Sequence, residues 1–287
     1  SVSEADSLSF ISGRLKYESD DCPAAVTSFE NYLSNYPTGS FVLEALFLKS
    51  DCYRRSKDYA KALEGYDAIN AKGPSAYFEK ATLEAARITY FEQKNYAKAR
   101  IYFESLQELA THPESRQEAL RGLVRCYYQL KDYSKAKEIT TLLLGEQSVS
   151  TDDKAIANLV LGKSQQLSGD CAGAINAFRS VAAINKSSWG AEARYEMASC
   201  YFTGGDMDNA EKAAISVIKE TGAFDLWVTK AYILLGDVFM QQKDYFNAKA
   251  TYESVSRNAS LPELKEEASR KLQQAIEAEK AGSRLSN

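Results

Sequence analysis

At an almost constant interval, seven times along the chain, an Asp or Asn is followed four positions later by Ala. The pairs are Asp21/Ala25, Asp58/Ala62, Asn95/Ala99, Asp132/Ala136, Asp170/Ala174, Asp206/Ala210 and Asp244/Ala248. Successive alanines lie 37, 37, 37, 38, 36 and 38 residues apart. Self-similarity on this scale specifies stacked supersecondary units, each hiding its apolar face against the next. A length that would otherwise suggest two globular domains is therefore read as one layered array.

The third repeat shows how a unit is built. Phe78, Thr82, Ala85, Ala86, Thr89 and Tyr90 recur at helical spacing, predicting a helix A over about 76–93. Asn95 follows as an N-cap for a helix B running from Tyr96 to about Leu109, ended by Thr111-His112-Pro113. The alanine four residues after the cap is small because two helices cross closely there. Four residues further on come Phe29, Tyr66, Phe103, Thr140, Phe178, Ala214 and Tyr252. Nine residues before the alanine come Lys16, Tyr53, Tyr90, Tyr127, Gln165, Tyr201 and Phe239. Most are aromatic, and the spacing assigns them to packing between helices.

Composition narrows the function. With 35 basic and 39 acidic side chains the formal charge is −4, without the basic excess of a nucleic-acid binder. The apolar runs are too short to span a bilayer. The opening residues carry neither a signal-peptide pattern nor a lipid-attachment cysteine, as expected of a mature chain or a piece of a longer one. The five cysteines are expected to be packing thiols rather than a disulfide framework. Cys52, Cys126 and Cys200 share one slot of the repeat, Cys22 and Cys171 another. Residues in the same slot of alternate repeats lie beyond the roughly 7 Å limit for a bridge.

These slots resemble the tetratricopeptide repeat. The second repeat carries Tyr53, Tyr59, Ala62, Tyr66 and Pro74; the seventh carries Leu235-Gly236, Phe239, Tyr245, Ala248 and Tyr252; the fifth supplies Leu161-Gly162, Ala174 and Phe178. The resemblance spans nearly the whole chain. It implies an all-α, right-handed superhelical α-solenoid of stacked antiparallel helix hairpins. The hairpins are expected at about 5–40, 41–76, 77–113, 114–150, 151–188, 189–224 and 225–260, followed by a capping helix and tail over 261–287. A bend is expected near the polar stretch from Gly145 to Asp153. The C-terminal stripe of Leu264, Ala268, Leu272 and Ile276 suits the soluble end of such a stack. Phe29-Glu30-Asn31-Tyr32-Leu33, Tyr36-Pro37, Ala45 and Tyr53 also resemble bacterial envelope members of the family, namely the outer-membrane barrel-assembly lipoprotein and the Tol–Pal-associated periplasmic coordinator. That implies a periplasmic or outer-membrane-associated location, with any membrane tether outside this chain; the cytoplasm is the alternative.

Catalytic chemistry finds little support. His112 is the single histidine and falls in a predicted turn, so a multi-histidine metal site within one chain is impossible. No CxxC pair and no glycine-rich phosphate loop is present. No catalytic residue, metal or cofactor is expected, and the chain is read as a non-enzyme. What remains is surface. In the family the inner wall is formed mainly by helix A, and the wall slots here hold Arg14, Tyr17, Arg54, Phe91, Arg121, Arg125, Tyr128, Lys163 and Phe202. Arg121, Arg125 and Lys163 are expected to form a small basic cluster, with exposed aromatics as anchors for a peptide or protein partner. The alternative role is a structural spacer or oligomerisation segment of a longer multi-repeat protein.

Overall fold

The computed structural model describes residues 2–223 and 225–285, and among these every regular element is helical. The chain divides into two compact units, Ser1–Leu143 and Leu144–Asn287. The first holds α1 (Val2–Glu18), α2 (Cys22–Asn35), α3 (Val42–Arg55), α4 (Tyr59–Ala71), α5 (Phe78–Arg87), α6 (Tyr96–Leu109), α7 (Pro113–Gln129) and α8 (Tyr133–Leu144). The second holds α9 (Thr151–Leu167), α10 (Cys171–Ile184), α11 (Ser188–Thr203), α12 (Met207–Glu220), α13 (Asp225–Gln241), α14 (Tyr245–Asn258) and α15 (Pro262–Leu285). The division falls at the last residue of α8, Leu144, just before the polar stretch that opens at Gly145.

Odd-numbered helices take the A position and even-numbered ones the B position, joined by short turns. Each turn is set by the same two residues. The first adopts a left-handed backbone: Asp20, Lys57, Lys94, Lys131, Gly169, Gly205 or Lys243, with φ between 50° and 84°. The second is the Asp or Asn of the repeated phrase. Its side chain accepts from the amide three residues on in every turn, at 2.8 Å for Asp170 and Gly173 and 3.3 Å for Asp58 and Lys61. The equivalent acceptors are Asp21, Asn95, Asp132, Asp206 and Asp244. Each cap satisfies a backbone donor that the helix itself leaves free.

All seven repeat alanines are fully buried. So are Phe29, Tyr66, Phe178 and Tyr252, the rings one turn further on. Glycines face several of these rings. A Cβ on Gly13, Gly162 or Gly236 would come within 2.7 Å of Phe29, Phe178 or Tyr252 respectively. Within each unit the packing is sequential. A helices lean on their own B helix and on the next A helix, as in α1 on α2 and α3, or α11 on α12 and α13. The last helix, α15, buries Leu264, Ala268 and Ala275 in one cluster with Tyr252 and Val255 of α14. Its buried stripe ends on Ala275, while Ile276 is only half-buried.

Two features depart from the sequence expectations. Cys22 and Cys52 form a disulfide, with Cα atoms 5.3 Å apart. The expectation of packing thiols throughout compared equivalent slots, whereas the bridge joins different slots of consecutive repeats: the first residue of α2 and the end of α3. The second departure is at the end of α5. Residues Ile88–Glu92 form a π turn that inserts one residue into helix A of the third repeat. The amide of Asn95 accordingly bonds the carbonyl of Thr89, six residues back, at 2.8 Å. In the neighbouring turns Asp58 and Asp132 bond Tyr53 and Tyr127, five residues back, each at 2.9 Å.

Candidate functional site

The A helices of the first unit present a wall whose charged side chains are bound across from helix to helix. Asp51 on α3 is its first junction. It accepts from the Tyr17 hydroxyl of α1 at 2.7 Å and from Arg54 at 2.6 Å, and pairs with Arg55 at 2.8 Å. Burial would raise this carboxyl, but the Tyr17 and Arg54 hydrogen bonds and both guanidinium charges hold it below the ordinary range. Arg55 also stacks over the Tyr17 ring at 4.5 Å. From α3 the chain of charges continues through Arg54 to Glu84 on α5 at 3.6 Å. Glu84 pairs with Arg87 at 2.9 Å, and Arg87 reaches Glu118 on α7 at 2.5 Å.

Beside this ladder lie two adjoining cavities. One, of about 270 Å³, is lined by Tyr90, Phe91, Phe103, Glu118, Arg121 and Arg125, with Arg87 between. The other, of about 320 Å³, is lined by Arg54, Tyr59, Glu84, Ile88 and Glu92, again with Arg87 and Phe91. Phe91 stands at the junction of both and is 55% exposed. Its position follows from the π turn. The extra residue rotates the end of helix A, so Phe91 projects outward and touches Tyr90 edge-on at 4.8 Å.

The expected site residues divide accordingly. Arg54, Phe91, Arg121 and Arg125 line this groove. Tyr17 lies on the same wall, bound to Asp51 and Arg55. Arg14 is exposed and pairs with Glu18 at 2.9 Å. Tyr128, expected as an exposed anchor, is buried and packs edge-on against Tyr133 at 5.5 Å. Lys163 lies in the second unit, where its ammonium is bound to Glu196 and both side chains are largely shielded. Gln166 completes that pair by donating to Glu196 at 2.9 Å. Lys163 therefore serves an inter-helix ion pair rather than an open basic cluster. Phe202 is half-buried against Ala198, Ala214 and Leu234. Sequence reasoning missed Arg87 and the ion pairs that Glu84 and Glu118 make. Their signal was a pairing of opposite charges on successive A helices, 30 residues from Arg54 to Glu84 and 31 from Arg87 to Glu118.

A larger cavity, about 630 Å³, lies elsewhere, lined by residues from 74–80 and 109–115. Its carboxylate is already engaged. Glu79 accepts from the Thr111 amide at 2.6 Å and hydroxyl at 2.7 Å, and meets His112 at 2.9 Å. Burial opposes its ionisation, yet these contacts and Ser115 hold it down at about 2. This is a joint between hairpins, and the groove at Phe91 is the stronger binding candidate. Among the described residues no cluster of three or more His, Cys, Asp or Glu is placed to hold a metal ion.

Tandem helical hairpins stacked in sequence define a helical-repeat protein, a class of fold associated with protein–protein interaction. Sequence models of the tetratricopeptide repeat match residues 12–77, 90–159, 159–225 and 229–257, and the chain belongs to that family. No curated protein is significantly similar in sequence. Among solved structures, a tetratricopeptide repeat protein from Parabacteroides merdae is 17% identical, with a TM-score of 0.54 over 95% of this chain and 99% of its own. The C-terminal part of a repeat protein from Cytophaga hutchinsonii is 11% identical, with a TM-score of 0.57 over 89% of this chain and 97% of its own. Yeast Tom70 is 14% identical, with a TM-score of 0.50 over 91% of this chain and 60% of its own. At these identities the likeness is one of fold. No helix among the described residues is long and apolar enough to cross a membrane.

Proposed function

We propose that the first unit is a non-catalytic scaffold that holds a peptide segment or protein surface in the groove at Phe91. The observation that carries this reading is a large aromatic ring raised into solvent by a π turn, between two cavities with arginines on their walls. An apolar partner side chain seats against Phe91, while its polar and acidic groups meet Arg121 and Arg125. The Asp51–Arg54–Glu84–Arg87–Glu118 ladder fixes the neighbouring side chains in advance, which lowers the ordering cost of binding. Aromatic and arginine side chains are the types that most often dominate binding energy.

The Cys22–Cys52 bridge supports placing this scaffold outside the reducing cytoplasm, in a bacterial envelope assembly, since structural disulfides persist in oxidising compartments. The test is affinity capture from a native envelope extract with the wild-type chain and the Phe91→Ala variant. The exposed ring contributes little to folding, so the variant keeps its helical circular dichroism and Tm. Loss of the captured partner, with affinity reduced about 30-fold or ~2 kcal/mol, is expected for an anchor residue. Equal capture by both proteins would remove the groove from consideration.

A further inference from the structure

We infer that Cys171 and Cys200 form a second disulfide, closing the joint between the fifth and sixth repeats as Cys22–Cys52 closes that between the first and second. The two pairs occupy the same places in the fold. Cys22 is the first residue of α2 and Cys171 the first residue of α10. Cys52 and Cys200 are each fourth from the end of the following A helix, α3 or α11. The sequence separations are 30 in the bridged pair and 29 in the other.

The local backbone is also alike. Asp21 and Asp170 cap the B helices just before the first cysteine of each pair. The Cys52 carbonyl accepts from Ser56 at 3.1 Å and the Cys200 carbonyl from Gly204 at 2.9 Å. The following caps bond back five residues in both, Asp58 to Tyr53 at 2.9 Å and Asp206 to Tyr201 at 3.0 Å. Exposure repeats too: Cys22 and Cys171 are half-buried, while Cys52 and Cys200 are 2% and 1% exposed.

In the structure Cys171 and Cys200 are free thiols. Burial, with the Cys171 thiol beside it, pushes the Cys200 thiol up to about 12. The same register holds Tyr96 and Cys126 between the third and fourth repeats. There a tyrosine fills the first place, and Cys126 is a fully buried thiol that burial pushes up to about 12. Thus wherever cysteine occupies the first place, a cysteine stands opposite.

The half-buried Cys171 is the sulfur an external oxidant reaches. As a thiolate it attacks a low-molecular-weight disulfide such as oxidised glutathione, forming a mixed disulfide and expelling one glutathione thiolate. Cys200 gives up its proton to solvent and attacks the Cys171 sulfur, expelling the second glutathione. The two protein thiols lose two protons and two electrons, and the oxidant becomes two glutathione thiols. The inference is independent of what the groove binds.

The test uses the full chain, incubated folded with oxidised glutathione, acid-quenched, unfolded and alkylated without reduction. Peptide mass spectrometry is expected to show both bridges and one alkylated thiol, Cys126. In Cys171→Ser the alkylated thiols are expected to be Cys126 and Cys200, with helical content unchanged. Alkylation of Cys171 and Cys200 in the oxidised wild type would overturn the inference. So would a retained glutathione on Cys171 or a bridge from Cys200 to Cys126.

Discussion

At the residue scale the hairpin turns expose what each position demands. The residue before every cap is left-handed, and five of the seven are not glycine: Asp20, Lys57, Lys94, Lys131 and Lys243. That backbone costs an L-residue roughly 1–2 kcal/mol, whereas glycine adopts it freely but loses more chain entropy. Lys131→Gly should therefore raise stability by about 0.5–1 kcal/mol, seen as a higher urea midpoint with an unchanged slope. The reciprocal change is cleaner. A Cβ at Gly169 would meet no atom within 4 Å, so Gly169→Ala isolates the backbone cost. It should lower stability by about 1 kcal/mol. No change in either variant would mean that the turns do not impose their φ. The caps beside these residues were legible in the sequence because an N-cap needs only its own side chain and the next three amides. The bonds of Asp51 and Glu84 were not, because their partners Tyr17, Arg54 and Arg87 include side chains on other helices about 30 residues away.

At the element scale the joints between hairpins matter most, and they were read least well. The alanine and aromatic slots identified helix–helix contact correctly, since Ala99 and Phe103 lie one turn apart and are buried together. A one-residue insertion shifts everything beyond it, so the π turn at Ile88–Glu92 could not be seen by counting to Asn95. That insertion turned Phe91 into the most exposed ring on its wall, while Tyr128, in the same counted slot, became buried. The Cys22–Cys52 bridge was likewise invisible when equivalent slots were compared. It emerges only when the start of one B helix is set against the end of the next A helix. The joint at Glu79 carries a pH signature. Its folded value of about 2 lies below the ordinary glutamate value of 4.5, so its stabilisation is complete above pH 4.5 and lost as pH falls toward 2. Glu79→Gln should lower Tm at pH 7 and flatten the decline in Tm between pH 4.5 and pH 2. Parallel Tm curves for the two proteins would show that the Thr111, Ser115 and His112 contacts contribute nothing to folding.

At the scale of the whole molecule, stability in each unit is a sum over neighbouring layers rather than a property of one centre. The disulfide allows that to be tested. It closes a 30-residue separation at the start of the first unit, and in the chain-entropy account such a loop contributes about 3–4 kcal/mol. Cys22→Ser removes that constraint from α2 and α3 alone, and the half-buried site tolerates the smaller hydroxyl. In a layered structure the loss is passed on only through shared interfaces. Hydrogen exchange monitored by mass spectrometry should therefore speed up in α1 to α4, by tenfold or more where opening is local, and leave α9 to α15 unchanged. A single cooperative core would instead raise exchange throughout the protein by one common factor. That second outcome would contradict the sequential packing of α1 on α2 and α3, and with it the reading of the seven capped alanines as the borders of separate layers.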